Sequence, residues 1–166
     1  MVTKYQTVAV GGTFDMLHKG HIKLIKKALA IGSTLIIGLT TDEMLQTFKK
    51  THSIAKFDER KASLLNLFRC IKALHRVQIV PLNDPHGIDI LRKDVEALLV
   101  SEETVQRGEE INTIRKTLNL QPLKLVVLHT VLADDGYPIS STRIRLGEID
   151  RNGHLLPSVK QPLPDS

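Results

Sequence analysis

The stretch Thr7-Val8-Ala9-Val10-Gly11-Gly12-Thr13-Phe14-Asp15-Met16-Leu17-His18-Lys19-Gly20-His21 decides how this chain is read. Its short apolar, β-branched run reads as a buried strand. Two glycines break it. Gly11 and Gly12 let the backbone come close to a ligand where such a strand delivers the chain to the carboxyl edge of a sheet. His18 and His21 then stand at the mouth of a helix. Gly20 leaves room at that entrance, where free N–H groups and the helix dipole attract phosphate. Residues three apart share one helix face, so both imidazoles can donate to phosphate oxygens. Two other readings stay open: a capping His18 beside a surface His21, and a metal pair. A zinc site needs further ligands, and no nearby cysteine or carboxylate cluster supplies them, so no protein-held metal is expected.

Outward from this stretch, strands alternate with helices. Strands are predicted over residues 7–11, 34–39, 77–81, 96–100 and 124–130. A helix over 20–31 points Ile22, Ile25 and Leu29 inward and Lys23, Lys26 and Lys27 outward, with Gly32 closing it. Thr41 or Asp42 caps a short helix to Phe48, and Asp58 caps a longer one over 59–74 with Leu65, Phe68, Ile71 and Leu74 as its core stripe. A further helix covers 103–118, and Ser140 or Ser141 starts a last one of about two turns. Five strands alternating with helices predict a Rossmann-like, doubly wound α/β domain with a parallel sheet and its ligands at the carboxyl edge. The domain is expected over residues 1–153. The segment 154–166, with Pro157, Pro162 and Pro164, reads as an irregular tail.

Composition narrows the function. The chain has 166 residues, enough for one domain with its own core. Its net charge of +5 suits polyanions, but aromatics are only 4% and tryptophan is absent, so a stacking platform for nucleic acid is poorly supplied. Nucleic acid is therefore not an expected partner. No apolar run approaches the roughly 20 residues that cross a membrane. A single cysteine, Cys70, excludes an internal disulfide and fits a reducing cytoplasm. Cys70 falls on a helical apolar pattern and reads as a small core residue.

Gly12-Thr13-Phe14-Asp15 followed by His18-x-Gly20-His21 resembles the first signature of the HxGH nucleotidylyltransferases. Ile139-Ser140-Ser141-Thr142-Arg143-Ile144-Arg145 resembles their second, ISSTxxR. Val100-Ser101-Glu102-Glu103-Thr104, Ile111-Asn112-x-Ile114-Arg115, Gln121-Pro122-Leu123 and the run from Asp135 to Asp150 are similar to the archaeal-type phosphopantetheine adenylyltransferases and the matching domain of eukaryotic CoA synthase. Where bacterial members carry an arginine-rich motif, this chain has Ser101-Glu102-Glu103-Thr104, as the archaeal type does.

The resemblance implies transfer of the adenylyl group of ATP to 4′-phosphopantetheine, giving dephospho-CoA and pyrophosphate. It implies that His18 and His21 contact the ATP phosphates and stabilise charge on the transferring group. The hydroxyl of Thr13 would face the reacting phosphates, with Gly12, Phe14 and Gly20 in the same cradle. Ser140, Ser141, Thr142 and Arg145 would hold the β- and γ-phosphates, and Lys49 or Lys50 (with Lys56 as a third lysine nearby) would bridge the acceptor phosphate and the α-phosphate. Mg²⁺ would ride on the triphosphate. From local physics, Arg60 sits in a helix first turn, where a cation is unfavourable, and so becomes an anion-binding candidate. Arg107 and Arg115 are further candidates, and Arg143 reads as a surface charge. Thr13 and Ser140 also have local readings, as a strand-end hydroxyl and a plain N-cap. Asp15 fits either a local cap or a histidine partner. Competing functions are the same chemistry on another acceptor (a phospho-alcohol with CTP, FMN or nicotinamide mononucleotide) and a non-catalytic nucleotide- or RNA-binding module.

Overall fold

The computed structural model describes residues 3–48, 53–87 and 94–157. The β-branched opening run forms β1 (Tyr5–Gly12), buried from Thr7 to Val10. A strand buried on both faces belongs inside a parallel sheet. β1 lies at the centre of one, flanked by β2 (Gly32–Thr40), β3 (Val77–Leu82), β4 (Ala97–Ser101) and β5 (Lys124–Leu128) in the order β3-β2-β1-β4-β5. All four pairings are parallel, and Val8 is in register with Leu35 on one side and Ala97 on the other. The strand order reverses between β1 and β4, so a crevice opens at the carboxyl ends of those two strands.

The helices are α1 (Lys19–Ile31), α2 (Asp42–Gln46), α3 (Phe57–Cys70), α4 (Val105–Thr117) and α5 (Ser141–Arg145), with a single 3₁₀ turn at Leu74–Arg76. Alternation along the strands separates two cores. Val8, Val10, Leu35, Ile37 and Leu99 face Ile25 of α1 and Leu64 and Phe68 of α3. Ala9, Ile36, Leu98 and Val100 face Met44 of α2 and Ile111 of α4. A small third cluster, Ala133, Ile139 and Ile149, ties the segment around α5 together. Residues 154–157 run on from it: Leu155 pairs with Ile149, and the Leu156 N–H donates to the Glu148 carbonyl at 2.9 Å. The tail from 158 onward lies outside the described residues.

The doubly wound parallel sheet is as expected, and most element ends fall within two residues of the reading above. α3 is the exception. It begins after Lys56 instead of Asp58, because the Glu59 carboxylate reaches back to the Lys56 N–H at 2.9 Å. It ends at Cys70, because Lys72 adopts a left-handed φ of 56° and the Ala73 N–H returns to the Phe68 carbonyl at 2.9 Å. Ile71 and Leu74 therefore lie beyond the helix, each 37% exposed, and Leu64 with Phe68 form the buried stripe. Cys70 is exposed at the helix end, contrary to its expected core position. α5 spans five residues, short of the two turns expected.

Candidate active site

The head of α1 is built by its two histidines. His18 is the N-cap, with an extended backbone, and its Nδ1 accepts the Gly20 N–H at 3.1 Å. His21 answers from the first turn: its Nδ1 accepts the His18 N–H at 3.4 Å. This reciprocal pair satisfies two otherwise orphaned donors, a task that Ser or Thr with Glu or Gln commonly performs. The rings stack with centroids 3.8 Å apart. A Cβ on residue 20 would stand 3.0 Å from the His18 Cε1, so Gly20 is what allows the ring to fold over the helix start. Before the cap, Phe14 and Met16 hold left-handed backbones, with φ of 50° and 47°. That conformation is strained for a bulky residue. It turns the Phe14 ring into the interior, 2% exposed and 5.2 Å from the His21 ring. Phe14, expected among the ligand contacts, is instead a support beneath His21.

The same bonds fix the proton positions. A ring whose Nδ1 accepts an N–H carries its own hydrogen on Nε2. Burial pulls His18 down to about 4, with the Arg151 charge adding to it. Burial, then the charge of His18, pulls His21 to about 3. A proton on either Nδ1 would confront the N–H it now accepts. Near neutral pH both rings are therefore uncharged Nε2–H donors.

α5 docks onto this region. Ser140 caps it by accepting the Arg143 N–H at 3.2 Å, and the Ser141 hydroxyl donates to the Asp15 carbonyl at 2.5 Å. The Asp15 carboxylate, 3% exposed, accepts Nε and Nη2 of Arg145 at 2.8–3.1 Å and the Ala55 N–H at 3.3 Å. Asp15 thus takes neither role considered for it: it fastens the second signature to the first. Arg145 keeps its Nη1 without a protein acceptor among the described residues. Thr142 is exposed, and Arg143 bonds Asp135 and Glu148 at the surface.

Two expected anion ligands are corrected. The Arg60 side chain is 1% exposed and directs Nε to the Ala55 carbonyl at 2.8 Å, Nη1 to the Thr13 carbonyl at 2.9 Å and Nη2 to Asp42 at 3.0 Å. Its misplaced first-turn charge is balanced by those oxygens and is not available to a ligand. Arg115 is 1% exposed in the last turn of α4, donating Nε to the Gln121 carbonyl at 2.7 Å. α4 leads from the carboxyl end of β4 to the amino end of β5, so Arg115 sits at the edge of the sheet away from the site. Lys49 and Lys50 lie outside the described residues; Lys56 is exposed at the start of α3.

The remaining candidates divide between two cavities at the carboxyl edge. One, of about 300 Å³, is walled by His18, Gly20, His21 and Ser140, with Leu128 to Val131 leaving β5. The other, of about 400 Å³, is walled by Gly12 and Thr13, apolar Met44, Phe48 and Leu82, and the exposed Arg107. Glu103 belongs to both walls. The β5 exit, including His129 at 2.8 Å from Glu102, was missed in the sequence. Its signal was available: it forms the carboxyl end of the strand predicted over 124–130, at the ligand edge. Among the described residues no group of three or more His, Cys, Asp or Glu could hold a metal ion.

The histidine pair, the docked α5 and the crevice at the switch point meet at one edge of the sheet, and the chain belongs to the cytidylyltransferase-like family of nucleotidyltransferases, whose profile matches residues 9–147. It is 41% identical over 163 residues to a phosphopantetheine adenylyltransferase of Methanothermobacter thermautotrophicus, covering 98% of this chain and 97% of that one. A phosphopantetheine adenylyltransferase of Methanosarcina mazei is 45% identical over 151 residues, 89% of this chain and 96% of the relative. Within the family, the chain thus groups with the archaeal phosphopantetheine adenylyltransferases, as the segments from Val100 to Thr104 and from Asp135 to Asp150 imply. A solved structure of a protein of unknown function from Archaeoglobus fulgidus superposes with a TM-score of 0.65 at 33% identity, over 74% of this chain and 89% of that one.

Proposed function

We propose that the chain joins ATP to 4′-phosphopantetheine, releasing pyrophosphate and dephospho-CoA. The observation that carries this reading is the pair of neutral Nε2–H donors, His18 and His21, on the wall of one cavity, next to a second cavity with apolar sides. The donor-lined cavity suits a triphosphate. The Met44, Phe48 and Leu82 walls suit the amide-and-alkyl arm of pantetheine.

In the reaction a phosphate oxygen of the acceptor attacks the α-phosphorus. The bond from that phosphorus to the α–β bridging oxygen breaks, and the electron pair leaves with pyrophosphate. The acceptor phosphate is ionised at neutral pH, so no residue needs to remove a proton. His18 and His21 donate to phosphate oxygens as charge shifts toward the leaving group, and Arg145 supplies Nη1. Lys49 or Lys50 would bridge acceptor and α-phosphate. Catalysis is alignment plus preorganised donors, with no covalent enzyme intermediate. Among the described residues the site offers N–H and O–H donors and no carboxylate cage, which fits a Mg²⁺ held by phosphates and water; that ion would neutralise triphosphate charge. No helix among the described residues is long and apolar enough to cross a membrane, and we place the reaction in the cytoplasm.

The test is pyrophosphate release by purified protein with ATP or CTP, each against 4′-phosphopantetheine, glycerol 3-phosphate, FMN and nicotinamide mononucleotide. Release is expected only with ATP and phosphopantetheine together. Equal turnover with CTP, or faster turnover with FMN, overturns the assignment.

A further inference from the structure

On the other side of the histidine pair, Asp150 to His154 form a tight turn. The Asp150 carboxylate accepts the N–H of Asn152 at 2.8 Å and of His154 at 2.9 Å, and its carbonyl accepts the Gly153 N–H at 3.1 Å. These donors, the His154 N–H foremost, hold that carboxyl below its ordinary range. Gly153 has φ of 89°, and a Cβ there would lie 2.7 Å from the Ile139 Cδ1 and 3.0 Å from the Ala133 Cα, so no other residue fits. These bonds and the close packing of Gly153 define the path of the turn, and what it presents to α1 is Arg151.

Arg151 holds both peptide units that flank His18. Its carbonyl accepts the Lys19 N–H at 2.9 Å, one of the unpaired donors of the helix start. Its Nη1 donates to the Leu17 carbonyl at 3.2 Å. That carbonyl belongs to the same peptide unit as the His18 N–H, which donates to the His21 Nδ1. A guanidinium pulling on one end of a peptide strengthens the donor at the other end. We propose that Arg151 is a positioning residue for the His18–His21 pair, setting from outside the cavity the orientation and the proton location of both rings. This rests on the reading that the pair serves the phosphates of ATP. The charge of Arg151 also opposes protonation of His18, beside which stand His21 and, exposed on α1, Lys19 and Lys23. Any residue can keep the Lys19 bond through its backbone; the side chain supplies the rest.

Wild type, Arg151→Gln and Arg151→Lys separate this from a structural role. The readouts are the ring titration of His18 by NMR, kcat and KM for ATP, and melting temperature. In Arg151→Gln the His18 titration should move upward and kcat should fall roughly tenfold, short of the 10²-fold that a full ångström of misplacement brings. KM and melting temperature should change little, because the side chain is exposed. Arg151→Lys should restore the titration and much of kcat. An unmoved His18 titration together with wild-type kcat in Arg151→Gln would overturn the proposal. So would losses of equal size in both variants that follow melting temperature. If the wild-type protein transfers no adenylyl group, the functional reading fails alone, and the ring titration still decides the role of Arg151.

Discussion

Replacing Asp15 by Asn should loosen the link between the two signatures. The substitution keeps volume and removes charge. Its amide offers one oxygen to a site that now accepts three N–H groups, and its NH₂ would face either Arg145 or the Ala55 N–H. Breaking a fully buried ion pair costs about 3–5 kcal/mol. Here the Asp15 side chain is 4% exposed but that of Arg145 is 27% exposed, so water can take up part of the stranded guanidinium. We expect about 2 kcal/mol, roughly a 30-fold fall in the folded-to-unfolded ratio. For a domain of this size that lowers the melting temperature by about 4–8 °C. The assay is urea and thermal unfolding of wild type, Asp15→Asn, Arg145→Met and the double variant, with ATP affinity measured on each. The cycle should show a coupling of about 1–2 kcal/mol, and ATP binding should weaken in Asp15→Asn because Arg145 is no longer aimed. Losses that add to within about 0.5 kcal/mol, with ATP affinity unchanged, would refute the argument.

Arg60→Met should cost about 3–5 kcal/mol, since it strands two carbonyls and Asp42 around a buried gap; chemical denaturation checks this, and a loss below about 1 kcal/mol would return Arg60 to the list of ligand-facing residues. Stability should fall as pH drops from about 6.5 toward 4, where the unfolded histidines take protons that folded His18 and His21, at about 4 and about 3, do not. Above pH 6.5 these two contribute no slope, and His18→Gln with His21→Gln should flatten the urea midpoint between pH 4.5 and 7. His21→Ala should lower kcat by roughly 10²–10³-fold, more than it weakens ATP binding. It should also lose about 1 kcal/mol of helix capping, whereas His21→Gln can still accept the His18 N–H and should retain that stability.

The first signature and the parallel sheet were readable because their cues are local: a β-branched run, paired glycines and a helix mouth within fifteen residues. What escaped was pairing over long distances. Asp15 meets Arg145 from 130 positions away, and no local pattern announces it. Arg60 and Arg115 looked like free cations because a sequence shows charge but not the carbonyls folded around it. The end of α3 was missed for another reason. Helices commonly stop at glycine, but here Lys72 takes the left-handed position, leaving no written stop before Leu74. The walls of the second cavity come from the ends of β1 to β4 together with Met44 of α2 and Arg107 of α4, and only the assembled domain brings them together.

The capping pair at the head of α1 ties two properties that most helices keep apart. In an ordinary helix the residue that starts it can be exchanged freely among Ser, Thr, Asp and Asn without touching function. Here the starting residues are the proposed phosphate donors, so each exchange would alter the helix and the site together. Selection for heat resistance has little freedom at positions 18, 20 and 21 and must work elsewhere, at places such as the exposed end of α3. Directed evolution on this scaffold would find its stabilising substitutions there and meet its losses at the helix mouth.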